Sequence, residues 1–293
     1  MINMPLGLKG RYKLQVKKAG EVVNESGWSD NLVTDLGLNI IAEYYNVFMR
    51  YCHVGDGNTA PANSDTALAG FVAGVDGGDS VTTTLDTTNR YAIVSKTYTF
   101  SNGAAAGNIA EVGVGRAASG TVLFSRALVL DTQKNPTTIT VQSDEDLVVI
   151  YELWIKQPTG DFTDTVDGKN ITIRACNVGT NSWVASAISA VGMILGSFTY
   201  AFTGGIGAIT GEPSGSSDSS GSRVDDSYVA DSHERTGTIT FQTNDANFAI
   251  KSFAWKFGIG YWQMEMDTPI IKNNTQTFKL GVRISWSRDS GPA

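Results

Sequence analysis

Two histidines, two cysteines and one loop crowded with oxygen-bearing side chains are what this 293-residue chain offers for chemistry. His53 follows Cys52, but neighbours on a strand point to opposite faces, so they make no ready Cys-His pair. His233 sits in the polar run VADSHERTG, and no HExxH, GxSxG or P-loop pattern occurs. The GDGN and GGIG stretches lack the Walker lysine and the strand-loop-helix order that phosphate binding needs. Asp144 and Asp146 have the residue type for glycosidase work, which takes two carboxyl groups, but in SDEDL they read as the end of a turn and the start of a strand. The loop from Gly55 to Asp65, GDGNTAPANSD, brings Asp56, Asn58, Ser64 and Asp65 together. Such oxygens suit Ca²⁺, yet the 1-3-5-7-9-12 spacing and its final Glu are missing, and Asx turns around Gly and Pro explain the same residues. These observations name no catalytic residue and no cofactor, and they leave metal binding by the loop open.

Aromatic rings offer recognition instead. Trp255, Tyr261, Trp262 and Trp286 crowd the C-terminal part, where exposed rings would stack on sugars or anchor a protein partner. The competing expectation is that they pack inward against Gly258 and Gly260.

The elements that must position these groups read as strands. Tyr12, Leu14 and Val16 alternate with Arg11, Lys13 and Gln15; Ala92, Val94, Tyr98 and Phe100 alternate with their polar neighbours. Asn102-Gly103 makes a turn, Ile109 to Gly115 alternates again, and Gly113 and Gly115 form a glycine face that admits another backbone or ring. A closing strand runs from Leu147 to Ile155. Between the first strands, Leu36, Ile40, Ile41, Tyr44 and Phe48 recur at helical spacing after Asn31 or Thr34 as cap, predicting one helix packed on the adjoining sheet. Many short strands with turn signals predict a mainly β, antiparallel β-sandwich.

The second half replays this order. An uncharged helix over Ser182 to Leu195 stands where the first helix stands, and YAFTGGIGAITGEPSGSSDSS answers YCHVGDGNTAPANSDTALAG. ERTGTITFQTN and KFGIG follow, and Phe278, Leu280, Val282, Ile284 and Trp286 close with the face pattern of Leu147, Val149, Tyr151, Leu153 and Ile155. Two similar sandwich domains are therefore expected, residues 1–157 and 168–293, each with one short helix and joined by a polar linker at 158–167, as from internal duplication.

Composition excludes some classes. Charged residues make up 17%, glycine is plentiful at 32, and the net charge of −7 comes without a basic cluster, which speaks against nucleic-acid binding. The wide spacing of Cys52 and Cys176 gives no disulfide framework or zinc site, so both read as small buried hydrophobes of a chain folded in a reducing compartment. WVASAISAVGMILGSFTYAF approaches the length of a membrane span, but its serines and glycines and the absence of flanking Lys or Arg predict no membrane insertion. The N-terminal MINMPLGLKGRYKLQVKK lacks an apolar h-region, so no secretory signal is expected.

Asn31 to Leu38, Val54 to Ala69, Gly107 to Gly115, Leu123 to Ala127 and Asn135 to Tyr151 together resemble a family of bacteriophage and prophage virion proteins, usually tail or tail-fibre-associated. The resemblance spans about the first half of the chain. It implies a non-enzymatic structural subunit of the virion, assembled in the host bacterial cytoplasm and placed in the tail, tail tip, collar or fibre-attachment region. Its partners would be copies of itself, in a ring or trimer, and other tail or head-tail proteins. The alternative is a receptor-binding or capsid-decoration module.

Overall fold

Side-chain alternation with a period of two decides the architecture. The computed structural model describes residues 1–43, 47–78, 80–86, 88–176, 198–219, 221–257 and 260–289. In it 56% of the chain is strand and 4% helix, arranged in large curled antiparallel sheets, as the sequence predicts. The chain opens with β1 (Ile2–Lys18), β2 (Glu21–Glu25), β3 (Ser29–Val33), α1 (Asp35–Glu43), β4 (Tyr51–Gly55), β5 (Phe71–Asp76), β6 (Thr82–Asp86) and β7 (Tyr91–Phe100). It continues with β8 (Gly107–Ile109), β9 (Glu111–Gly115), β10 (Leu123–Leu128), β11 (Ile139–Val141) and β12 (Asp146–Lys156). The remainder gives β13 (Phe162–Val166), β14 (Lys169–Cys176), β15 (Phe198–Phe202), β16 (Ser217–Asp218), β17 (Ser222–Asp225), β18 (Glu234–Phe241), β19 (Ala249–Phe257), β20 (Gly260–Ile271) and β21 (Phe278–Arg288).

The chain divides into two compact bodies. One comprises Leu8–Thr84, Ile93–Trp154 and Ser287–Ala293; the other comprises Met1–Gly7, Leu85–Ala92 and Ile155–Trp286. Strands β1, β6, β7, β12 and β21 each give residues to both. The polar stretch 158–167 carries β13, which forms a hairpin with β14. The expected second helix, Ser182 to Leu195, lies outside the described residues.

In the first body the strands run β5-β4-β9-β10-β3-β1, and β1 also pairs with β12, which pairs with β7. Tyr12, Leu14 and Val16 of β1 and Leu147, Val149, Tyr151 and Leu153 of β12 are buried, while Arg11, Lys13, Glu152 and Trp154 lie on the opposite register. Tyr12 and Tyr151 stack with centroids 4.8 Å apart, and the Tyr12 hydroxyl lies 2.6 Å from Ser125 Oγ. The glycine face of β9 lets a neighbour approach as expected: a Cβ on Gly115 would lie 2.1 Å from the Val122 carbonyl oxygen. Asn102 and Gly103 form the predicted turn, both at positive φ.

Thr34, rather than Asn31, caps the helix. Its Oγ1 accepts the Gly37 N–H at 2.8 Å, satisfying an amide the helix cannot. The same hydroxyl donates to the Leu123 carbonyl at 2.8 Å, which pins the helix start to β10. Of the predicted face Ile40 and Ile41 are buried, Leu36 is half-buried while Leu38 is buried, and Tyr44 lies outside the described residues; Phe48, in a short 3₁₀ turn at Val47–Met49, packs on Phe124.

In the second body a six-stranded sheet runs β13-β14-β20-β19-β15-β16, and β17-β18-β21 form a further run. Phe253 of β19 packs on Phe241 of β18 and Phe278 of β21, with centroids 5.7 and 5.5 Å away. Leu280, Val282, Ile284 and Trp286 face inward along β21, the face predicted from the sequence.

Candidate interaction face

The four rings singled out in the sequence are buried: Trp255 at 3% exposure, Tyr261 at 7%, Trp262 at 0% and Trp286 at 3%. They therefore make no exposed patch. Trp255 and Trp262 are register partners on β19 and β20, so both project from the same inward face. The Trp255 indole N–H points to Met4 Sδ, Trp262 meets Phe162 edge-on, and Trp286 stacks on Tyr228. Alternation explains the outcome, because each indole sits on the apolar register of its strand.

Two half-buried indoles lie on the first body. Trp154 stands on the polar register of β12, two residues from Glu152. Arg11 of β1 donates from Nε to Glu152 Oε2 at 2.8 Å, and the Trp154 indole N–H reaches the same oxygen at 2.8 Å. The Arg11 guanidinium carbon is 4.1 Å from the Trp28 ring centroid and 4.7 Å from that of Trp154. Lys9 Nζ lies 5.0 Å from the Trp154 centroid as well. Each such contact contributes about 0.5–1 kcal/mol at an exposed site, so together they hold two half-buried indoles in fixed poses.

Trp28 is positioned by its loop between β2 and β3. Ser26 Oγ accepts the Leu14 N–H at 3.0 Å, and Lys134 Nζ donates to the Trp28 carbonyl at 2.7 Å. Gly27 permits this: a Cβ there would lie 2.5 Å from the Asp131 carbonyl oxygen. Asp131 in turn accepts the N–H groups of Asn135 and Gln133, which hold its carboxyl below the usual carboxylate range. The result is a shallow groove of about 420 Å³ with Trp28, Arg11, Lys13, Lys134, Glu25 and Asp131 among its lining residues. It offers flat stacking surface and charges of both signs, which suits recognition. The signal in sequence was a tryptophan at an outward register position, Trp154, rather than a local cluster of rings.

A second exposed feature is β5, which among the described residues pairs with β4 alone and carries Phe71 and Val72 at 52% and 38% exposure. Beneath it His53 is fully buried between Tyr51 and Phe71, and burial depresses its pKa. Cys52, on the other face of β4, is also buried, and burial pushes its thiol up out of the reactive range. Cys176 is a free buried thiol too, raised to about 11 by desolvation.

The Gly55 to Asp65 loop is held by a guanidinium. Arg126 Nη1 donates to Asp65 Oδ2 at 2.6 Å, Nη2 to the Thr59 carbonyl at 2.8 Å, and Nε to Glu111 Oε2 at 2.7 Å. Glu111 also accepts the N–H groups of Gly70 at 2.6 Å and Ala69 at 3.2 Å. Asp65 further receives the Ala62 N–H at 2.9 Å, so its carboxylate is committed to the protein. Among the described residues no cluster of three or more His, Cys, Asp or Glu is arranged to hold a metal ion. Asp144 pairs with Lys18 at 2.8 Å, and Asp146 accepts the Asn102 N–H at 2.7 Å as β12 begins, the turn-and-strand role expected of them. Among the described residues no helix is long and apolar enough to cross a membrane.

Searches of protein-family models, of curated proteins and of solved structures return no match for this chain.

Proposed function

We propose that the chain is a non-enzymatic structural subunit of a bacteriophage virion, in the tail, tail tip, collar or fibre-attachment region. It assembles with copies of itself in a ring or trimer and docks neighbouring virion proteins. The observation that carries this reading is the Trp28-Arg11-Trp154 stack: a rigid, half-exposed aromatic and guanidinium surface, the composition that anchors protein interfaces. The exposed edge strand β5 adds a second contact of the kind that pairs with another chain. The segments that carry the resemblance adjoin in the fold: Val54 to Ala69, Gly107 to Gly115 and Leu123 to Ala127 meet around Arg126 and Glu111, and Asn31 to Leu38 joins them through Thr34.

Light scattering and negative-stain imaging across a concentration series test the proposal. The wild-type chain is expected as a closed oligomer, and Trp28→Ala with Trp154→Ala as a folded, smaller species. A compact monomer at every concentration would sink self-assembly. It would move the function to the alternative, a receptor-binding or capsid-decoration module, which the same two indoles favour because flat rings stack on sugars.

A further inference from the structure

The second body holds a pocket that the assembly reading does not use. Tyr200 and Phe202 are two apart on β15, so they share a face, with centroids 6.2 Å apart. Across β19 and β20 the register sets Tyr200 beside Ala254 and Ala254 beside Gln263, with Tyr261 two residues away on the same face of β20. Ala254 is the small residue of that row, and the larger rings around it leave a hollow. The cavity measures about 80 Å³ and is lined by Tyr200, Phe202, Tyr261, Ser217 and Glu212.

The loop that carries Glu212 to the rim is held in place. Gln263, fully buried, accepts the Gly207 N–H at 2.7 Å and donates to the Gly211 carbonyl at 2.8 Å, fixing the loop that delivers Glu212. Gly207 lets that loop close, since a Cβ there would lie 2.1 Å from the Glu212 carbonyl oxygen. The field of Glu212 reaches both phenols: Tyr200 is raised first by burial and then by Glu212, and Tyr261 by burial, Cys176 and Glu212 in that order.

We propose that this pocket binds a quaternary ammonium head group. Three aromatic side chains line the pocket, an aromatic ring attracts a cation through its face, and Glu212 adds a formal counter-charge. Three of the five lining side chains are aromatic and Glu212 is the one charged group among them, which suits a quaternary head that needs a counter-charge and ring surface but no hydrogen-bond acceptor. The cavity has room for a head group and not for a large ligand.

Isothermal titration of the full chain with choline, its neutral isostere 3,3-dimethylbutan-1-ol, and ethanolamine tests this. Choline is expected to bind in the millimolar range, with each of the other two about tenfold weaker. Glu212→Gln, at an exposed rim position, is expected to lose about fivefold in choline affinity, and Tyr200→Ala to lose binding, with the circular dichroism spectrum unchanged. Equal affinity for choline and either analogue, unchanged affinity in Glu212→Gln, or no heat from choline up to about 50 mM would overturn the proposal.

Discussion

Arg126 sets Nη2 2.6 Å from Glu111 Oε2, with the two side chains at 2% and 0% exposure. The pair joins β9 to β10 and, through Asp65, Gly70 and Ala69, ties the long 55–70 loop to both. Removing one partner leaves the other charge buried and uncompensated, which costs about 3–5 kcal/mol. Arg126→Ala is expected to lose that much in urea unfolding. Replacing both residues by apolar ones is expected to recover only part, because the Ala69 and Gly70 amides lose their acceptor. A loss below about 1 kcal/mol in Arg126→Ala would show that the loop is held by other contacts.

His53 predicts a pH dependence whose sign follows from its burial. Its folded pKa lies below the ordinary 6.5, so between those values the unfolded chain binds the extra proton. The stabilisation is therefore fully present above about pH 6.5 and is lost as the pH falls, by at most about 1.4 kcal/mol per unit. Urea midpoints of the wild type and His53→Phe at about pH 7.5 and 5.5 should diverge, with the variant falling less. Parallel curves would mean that His53 binds its proton equally well in the folded and unfolded chain.

Gly37 separates propensity from packing. Alanine is favoured over glycine in a helix by about 1 kcal/mol, so propensity alone makes Gly37→Ala stabilising. Yet a Cβ at Gly37 would lie 2.0 Å from the Phe124 carbonyl oxygen, and that backbone belongs to β10. The clash should win, with a net loss of about 1–3 kcal/mol in thermal or urea unfolding. A gain in stability would show that α1 can lift from the sheet without cost.

Burial also sorts the five described tryptophans by their access to solvent; Trp183 lies outside the described residues. Trp28 and Trp154 are half-buried, while Trp255, Trp262 and Trp286 are sealed. In a Trp183→Phe background, acrylamide should quench a fraction of the emission that disappears in Trp28→Phe with Trp154→Phe. An unchanged quenchable fraction in the double variant would place the accessible indoles elsewhere.

Much of the fold was legible in the sequence because alternation reports directly on burial. Val94, Tyr98 and Phe100, Leu147 to Leu153 and Leu280 to Trp286 all sit on the faces their spacing predicts. The length of β1 was less legible: Ile2, Met4, Leu6 and Leu8 alternate as well as Tyr12 to Val16, but Pro5 and the glycines obscure the run. The glycine- and serine-rich stretch after Glu212 carries β16 and β17, strands made by pairing with Phe202 and Ile239 rather than by their own side chains. The candidate face was hidden for a different reason. Arg11, Trp28 and Trp154 are far apart in sequence, and only the pairing of β1 with β12 unites two of them. Arg126 was hidden similarly, since nothing local ties it to Asp65.

The edge of β5 that has no neighbour among the described residues bears on how large an assembly can grow. A strand that meets its own copy antiparallel across a two-fold axis uses up both edges at once, so that contact ends at a pair. A ring of three or more subunits must instead join two different surfaces of each chain, donor to acceptor, and close by its rotation angle. In such a ring the β5 edge can supply one side of the joint, and the other must come from a surface that is not β5.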